Sequence, residues 1–501
     1  MNERRKTRKR LALLALALTP SAAVLLYGLE QPHLGFFKDD GVYLASAYSL
    51  ASGDGYRTAS LPGTPWQVKY PPLYPALLSA AFVPDSPLEV QFSIASVLNW
   101  LALPIFAILA LRLFEKEHFP APLLLTLVCL AFAGTVTVAH TLLADLWMTA
   151  AVIGVFLFRE RSPAAAGVLG AAAYLFRTAA LPVLAAVPAE YLLRRRFRDA
   201  AVFCLIVASV MVAWGLWSNA HAGPLRDYND YFQSTYSNVM SYEQPWTLPW
   251  TWFAWQARRV LTQIGRICIP DLLGGPALHP LRLAAGAALA ASAVFLPRIY
   301  AVSVFLYLLT LVLWPWYVYP RLIVPVAPFL VAAAAKALQS LSRRKITLPT
   351  APIAAVFVMF LVGEAGRQAA VIRAGKETLA RESAMYAWVQ QNTDPADTFA
   401  AYRDALLFFR TKRRAESIHS SVREEILDPG APAKRLEGMA EWARKRGHAY
   451  VVYHPSDYQM QEDLARRVRE RLAQEGEAVF EHEGLVIYRL KQPDSDPSDR
   501  Q

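Results

Sequence analysis

Two adjacent carboxylates, Asp39 and Asp40, stand near the head of a polar stretch, 36–75, that closes on Lys69, Tyr70, Pro71 and Pro72. A carboxylate within hydrogen-bond reach of a hydroxyl can take its proton. A lysine held by a rigid Pro-Pro turn can meet a phosphate. Further along, His140 and Asp145 flank a short turn, Arg177 interrupts an apolar run, and Arg321 closes the segment WPWYVYPR. The arginine fork suits a phosphate or a carboxylate. Proton acceptors and anion-binding cations are thus both present, on segments far apart in the chain.

Each of these residues also has a structural reading. An Asp before GVYLASAYSLAS caps a helix, and at helical spacing Asp39 and Tyr43 share a face, so a carboxylate and a phenol are presented together. Lys69 can snorkel at a membrane interface, and Arg177 can pair with a carboxylate for structure. His140 and Asp145 are too few for zinc. Asp145 with Asp39 or Asp40 could hold a hard divalent cation.

The elements that must position these residues are set by hydropathy. The 501 residues are 55% hydrophobic and 18% charged, with a mean hydropathy of +0.25. That is too apolar for a soluble globule and too interrupted for a single anchor, so a polytopic helical membrane protein follows. The net charge of +11 sits in short basic clusters between apolar runs, as in cytoplasmic membrane loops, which argues against nucleic-acid binding. Three cysteines make no disulfide framework.

Apolar runs place about eleven spans, near 11–29, 90–111, 121–142, 146–158, 164–176, 179–193, 199–218, 280–296, 300–316, 321–338 and 349–366. The basic loops then fall on one side, with the N-terminus cytoplasmic and the C-terminus outside. This requires 164–193 to be two short helices meeting near Arg177, because a single helix would put FRERSP and RRRFR on opposite sides. The outer face receives the first loop, 30–89, the turn from His140 to Asp145, Arg177, the segment 219–279 and Arg321. Ionisable residues gathered near a membrane are a functional-site hypothesis by default. The aromatic-rich 219–279 reads as an interfacial helix, or as a wall for an acyl or isoprenoid chain.

Residues 1–366 therefore form the membrane domain. Beyond it, 367–490 reads as a small extracytoplasmic α/β domain: helices over 376–392, 403–411, 432–446 and from 457, strands at 398–402 and 448–454, and a hairpin over EAVFEHEGLVIYRL with a Glu-Gly turn. Residues 491–501 read as a disordered tail.

Asp39-Asp40-x-x-Tyr43, then Ala47, Leu50, Gly53 and Tyr56, then Tyr70-Pro71-Pro72-Leu73-Tyr74-Pro75, together resemble the first external loop of GT-C superfamily glycosyltransferases. The resemblance is to the bacterial branch holding protein O-mannosyltransferases and lipid A aminoarabinose transferases. It continues at Asp145, at Phe176-Arg177-Thr178 and at WPWYVYPRLIVPVAPF, and so covers nearly the whole chain. It implies a multi-pass enzyme of the inner membrane that transfers a sugar from a polyprenyl-phosphate donor to a lipid, glycan or protein acceptor on the outer side, with inversion. By position, Asp39 would be the general base and Asp40 its neighbouring acid. Lys69, Tyr43, Tyr70, Arg321, Arg177, Asp145 and His140 would serve the donor phosphate and sugar. The chain departs from the pattern in Asp40, where Glu is frequent, and in Val42, where aminoarabinose enzymes carry a basic residue.

A monophosphate can be matched by two cationic side chains, so a divalent cation is not required; Asp39, Asp40 and Asp145 are its candidate ligands. The rival class is a transporter or lipid flippase, which would share broken helices and intramembrane charge. No internal repeat supports it.

Overall fold

The computed structural model describes residues 2–29, 34, 37–222, 250–314, 317–341, 350–418, 430–457 and 460–491. The tyrosines 228, 231, 236 and 242, Trp246 and the proposed tail beyond residue 491 lie outside these. Two compact units divide the chain: Met1–His33 with Val68–Ile372, and Leu34–Gln67 with Arg373–Gln501.

In the first unit, helix follows apolar sequence. Five helical stretches are long and apolar enough to cross a bilayer: Arg8–Gly28, Leu88–Lys116, Phe197–Ala220, Pro276–Phe295 and Pro352–Asn392, the last belonging to this unit up to Ile372. Pro122–Ala131 and Ala133–His140 form one apolar run bent by 62°. The other apolar helices, Asp145–Phe158, Pro163–Phe176, Thr178–Leu193, Arg298–Val312 and Ala327–Leu341, have 10–17 residues. At about 1.5 Å per residue these fall short of a ~30 Å hydrocarbon core. They coincide with expected spans, but length and composition qualify five helices as full crossings, or six with the bent pair. Large apolar side chains such as Leu205 and Met359 remain exposed on these helices. Lipid, not water, is the solvent that suits them.

The basic loops that the charge rule groups together are joined at one end of this unit. Arg10 pairs with Glu115 at 2.6 Å and Arg159 with Glu117 and Glu190, both at 3.3 Å. Arg194 reaches Glu160 at 2.8 Å, and the Tyr191 hydroxyl donates to the Arg159 carbonyl at 2.6 Å. The last contacts tie the two ends of the 163–193 run to each other, so this run is a hairpin. It breaks at Arg177, whose backbone is extended between Pro163–Phe176 and the turn Thr178–Ala180.

The second unit holds a five-stranded mixed sheet, ordered β2-β1-β3-β5-β4. β1 (Thr398–Ala400) runs parallel to β2 (Arg414–Glu416) and β3 (Tyr450–Tyr453), while β5 (Leu485–Leu490) is antiparallel to β3 and to β4 (Gly476–His482). The β4–β5 turn is Glu483-Gly484, with φ of 47° and 79°, the two positive values a two-residue hairpin turn demands. Ala443, Val451, Val468, Leu472 and Val486 fill the core.

Four details differ from the sequence reading. The expected boundary at 366/367 lies inside one continuous helix, Thr350–Asn392, because Arg, Lys, Glu and Ala replace apolar residues without breaking helix propensity. The helix expected over 432–446 is two, Ala431–Glu437 and Met439–Lys445, interrupted at Gly438. β2 was unexpected, since three residues are too few to show an alternation. The first loop also divides: Leu34–Gln67 clusters with the C-terminal residues rather than with the membrane helices. Ala415 N donates to Ser60 O at 3.0 Å, and Tyr48 meets Phe408 and Phe409 edge-on at 5.7 and 6.0 Å between centroids.

Candidate functional site

In the second unit, Asp39 and Asp40 open the helix Asp39–Ala51, with Lys38 at the N-cap position. Both carboxylates therefore lie in the first turn, where the helix dipole favours negative charge, and neither is the N-cap that the capping reading expected. The two acids differ. Asp40 is 0% exposed, and its Oδ1 accepts the Gly41 N–H at 2.8 Å. Asp39 is only partly buried. Tyr43, one turn on, is 0% exposed. Gly41 is required by packing: a Cβ there would lie 2.7 Å from the Ala405 Cβ. The acid-bearing helix is thus seated on the helix Asp404–Thr411.

Sequence reasoning passed over the charges around this seat. Asp404, Asp457, Arg403 and Glu382 share one neighbourhood with Lys38. Arg403 Nη1 pairs with Glu382 at 3.3 Å, and Tyr386 donates to Glu382 at 2.7 Å. Burial raises the Asp404 carboxyl, against the pull of Lys38. Burial pushes Asp457 up to about 7, opposed by Arg403. No local motif joins 38, 382, 404 and 457, so only the fold could reveal the cluster.

The Asp457 carboxyl carries a prediction. Its folded pKa of about 7 stands above the ordinary 3.8, so its contribution to stability is fully present below the unfolded pKa and is lost as pH rises toward 7. Between pH 5 and 8 the melting temperature of the wild type should fall by about 3 °C more than that of Asp457→Asn. Equal falls in a thermal melt would show that Asp457 titrates normally.

In the first unit, Arg177 Nη1 donates to Asp145 Oδ2 at 2.7 Å, with the two side chains 10% and 1% exposed. Asp145 starts the helix Asp145–Phe158, and Trp147 stacks on Phe176 beside the pair, with ring centroids 5.8 Å apart. The structure therefore joins two of the expected site residues, and to each other. His140 is engaged differently: its Nε2 lies 2.9 Å from Ser21 Oγ, which also accepts the Trp100 indole N–H at 3.0 Å.

Lys69 Nζ sits 4.4 Å above the Tyr70 ring. Arg321 is buried in the turn Pro320–Ile323. That turn presses on the helix Ala133–His140 so closely that a Cβ at Gly134 would lie 2.6 Å from Pro320 O. Among the described residues no group of three or more His, Cys, Asp and Glu is placed to hold a metal ion, and the Asp145 carboxylate considered for that role is salt-bridged to Arg177.

Two further residues escaped the sequence reading. Asn99 accepts the Tyr74 hydroxyl at 2.7 Å and donates to the carbonyls of Val138, Ala139 and Thr141 at 2.9–3.1 Å. It thereby anchors the Tyr70–Pro75 motif to the end of the bent run. Arg259, on the helix Trp250–Gly265, lies over the rings of Trp255, Tyr317 and Tyr319 and donates to Val318 O at 3.1 Å. The clue to each was a polar residue in apolar surroundings, which by itself names no partner.

The fold built from these elements is shared with solved structures. The chain is similar to the crystal structure of ArnT from Cupriavidus metallidurans bound to undecaprenyl phosphate, with a TM-score of 0.58 at 15% identity, over 95% of this chain and 98% of that one. The same protein in the apo state gives 0.57 at 16% identity. The arabinofuranosyltransferase AftD from Mycobacteria matches with 0.47 at 14% identity, over 97% of this chain and 42% of that one. No family model matches the chain, and neither does any curated protein.

Proposed function

We propose that the chain is a membrane glycosyltransferase that moves a sugar from a polyprenyl-phosphate donor to an acceptor hydroxyl on the outer side of the membrane, inverting the anomeric carbon. The observation that carries this reading is a fold match running the length of both chains to a structure that binds undecaprenyl phosphate. In the reaction the acceptor oxygen forms a bond to the anomeric carbon as the bond from that carbon to the phosphate oxygen breaks. The hydroxyl proton passes to a carboxylate, and the lipid phosphate leaves with added negative charge.

Asp39 is the base in this scheme because it is the more accessible acid, while Asp40, held by the Gly41 amide, shapes the turn. Lys69 and Arg321 meet the phosphate charge, with Tyr70 backing the lysine. Arg177, Asp145 and His140 complete the set that serves the donor phosphate and sugar, Arg177 with a guanidinium that also pairs with Asp145. The five short apolar helices complete eleven spans, with the N-terminus in the cytoplasm and the C-terminal domain outside. The sugar is a pentose or hexose, and the acceptor a lipid, glycan or protein hydroxyl.

The reading is tested by comparing envelope glycolipids and glycans by mass spectrometry, with and without the protein. One glycosylated species should disappear and return on complementation; identical profiles would refute it. Lys69→Ala should raise the donor KM about 10-fold or more, the worth of a charge-assisted hydrogen bond, with acceptor KM unchanged. A change confined to the acceptor KM would remove Lys69 from the donor phosphate.

A further inference from the structure

Lys38 has a backbone that lysine rarely adopts. Its φ is 62° and its ψ −42°, and the amide of Asp39 donates back to Phe37 O at 2.6 Å. A hydrogen bond across one residue with positive φ and negative ψ is a γ-turn of the rarer, strained kind. Glycine would be the easy occupant of such a position.

The side chain accounts for the choice of lysine. Its Nζ donates to Tyr402 O at 2.5 Å and to Ser417 Oγ at 2.8 Å, and lies 4.3 Å above the Tyr402 ring. Asp404, Asp457 and Asp40 supply negative charge around it, and Arg403 opposes. Burial pulls the Lys38 ammonium down, and the three carboxylates pull it back up. Tyr402 follows β1 and Ser417 follows β2, so the anchors are fixed at the end of the sheet. The Lys38 carbonyl accepts the Val42 amide at 3.2 Å, the bond that starts the acid-bearing helix.

We propose that Lys38 is the positioning residue for the Asp39-Asp40 pair: its ammonium, clamped by Tyr402 and Ser417, holds open the strained turn that sets where the helix begins and where both carboxylates point. Strain of this kind persists only where the surroundings over-determine it, and it concentrates at functional sites. The proposal rests on the reading of Asp39 as the base. It makes the C-terminal part of the second unit a working part of the first loop, acting through Lys38 rather than through substrate.

The test compares Lys38→Gly with Lys38→Met in the full-length protein, assayed for transfer from a polyprenyl-phosphate sugar. Methionine keeps the stem, loses the clamp and resists positive φ. Glycine loses the clamp but adopts the turn freely. If Lys38 positions, Lys38→Met should lose 30-fold or more in kcat with donor KM within 3-fold of wild type, and Lys38→Gly should keep at least 10-fold more activity than Lys38→Met. Those thresholds are order-of-magnitude values, roughly what misplacing a catalytic group costs. Equal loss in both variants would mean that the ammonium acts directly, and a wild-type rate in Lys38→Met would mean that it does nothing; either overturns the proposal.

Amide hydrogen exchange over 39–43 gives a readout independent of turnover. Exchange should quicken in Lys38→Met, and unchanged exchange overturns the proposal. If Asp39→Asn transfers sugar normally, the base assignment fails, while the exchange result still decides the role of Lys38.

Discussion

Asp39→Asn should lower kcat for sugar transfer by about 10²–10⁴-fold, the usual worth of a positioned general base, while the melting temperature stays within about 2 °C of wild type. The substitution keeps size and an acceptor oxygen and removes only the charge. At a partly buried first-turn position that charge is worth about 0.3–1 kcal/mol to the helix. Asp40→Asn is the control. Its oxygen can still accept the Gly41 N–H now seen at 2.8 Å, so its kcat should fall much less. A normal rate in Asp39→Asn beside a dead Asp40→Asn would exchange the two roles, and normal rates in both would remove the pair from catalysis.

Arg177→Met should have the largest effect on stability. It leaves the Asp145 carboxylate, 1% exposed, without the guanidinium now 2.7 Å away. Breaking one side of a buried pair costs about 3–5 kcal/mol, mostly as the penalty of a stranded charge. The melting temperature should therefore fall by about 5 °C or more. Arg177→Met with Asp145→Leu should recover at least half of the loss, because no charge is then stranded. If the single variant melts like wild type and only the donor KM rises, Arg177 serves the phosphate and the pair is incidental to stability.

Much of the fold could be read from the sequence because hydrophobic burial in a bilayer is local. A run of apolar residues makes a helix, and a cluster of Arg and Lys marks one side. The same rule required the break at Arg177, since only a hairpin keeps Arg159 and Arg194 together, and both do reach Glu160 or Glu190. The edges were harder. Helix propensity carries Thr350–Asn392 across a change in hydropathy that reads like a domain boundary.

The candidate residues divide the same way. Residue types and spacing alone singled out Asp39, Asp40, Lys69 and Arg321, because carboxylates and cations near a membrane are too costly to be there without cause. The sequence by itself thus named the candidate residues, the apolar frame and the segments that carry them. Only the tertiary structure decided which acid is fully buried, that Arg177 pairs with Asp145, and that the turn before Asp39 is anchored through Lys38 to Tyr402 and Ser417. The reason is distance along the chain: Lys38 and Tyr402 stand 364 positions apart, and a contact of that separation is set by how elements pack, which no local pattern encodes.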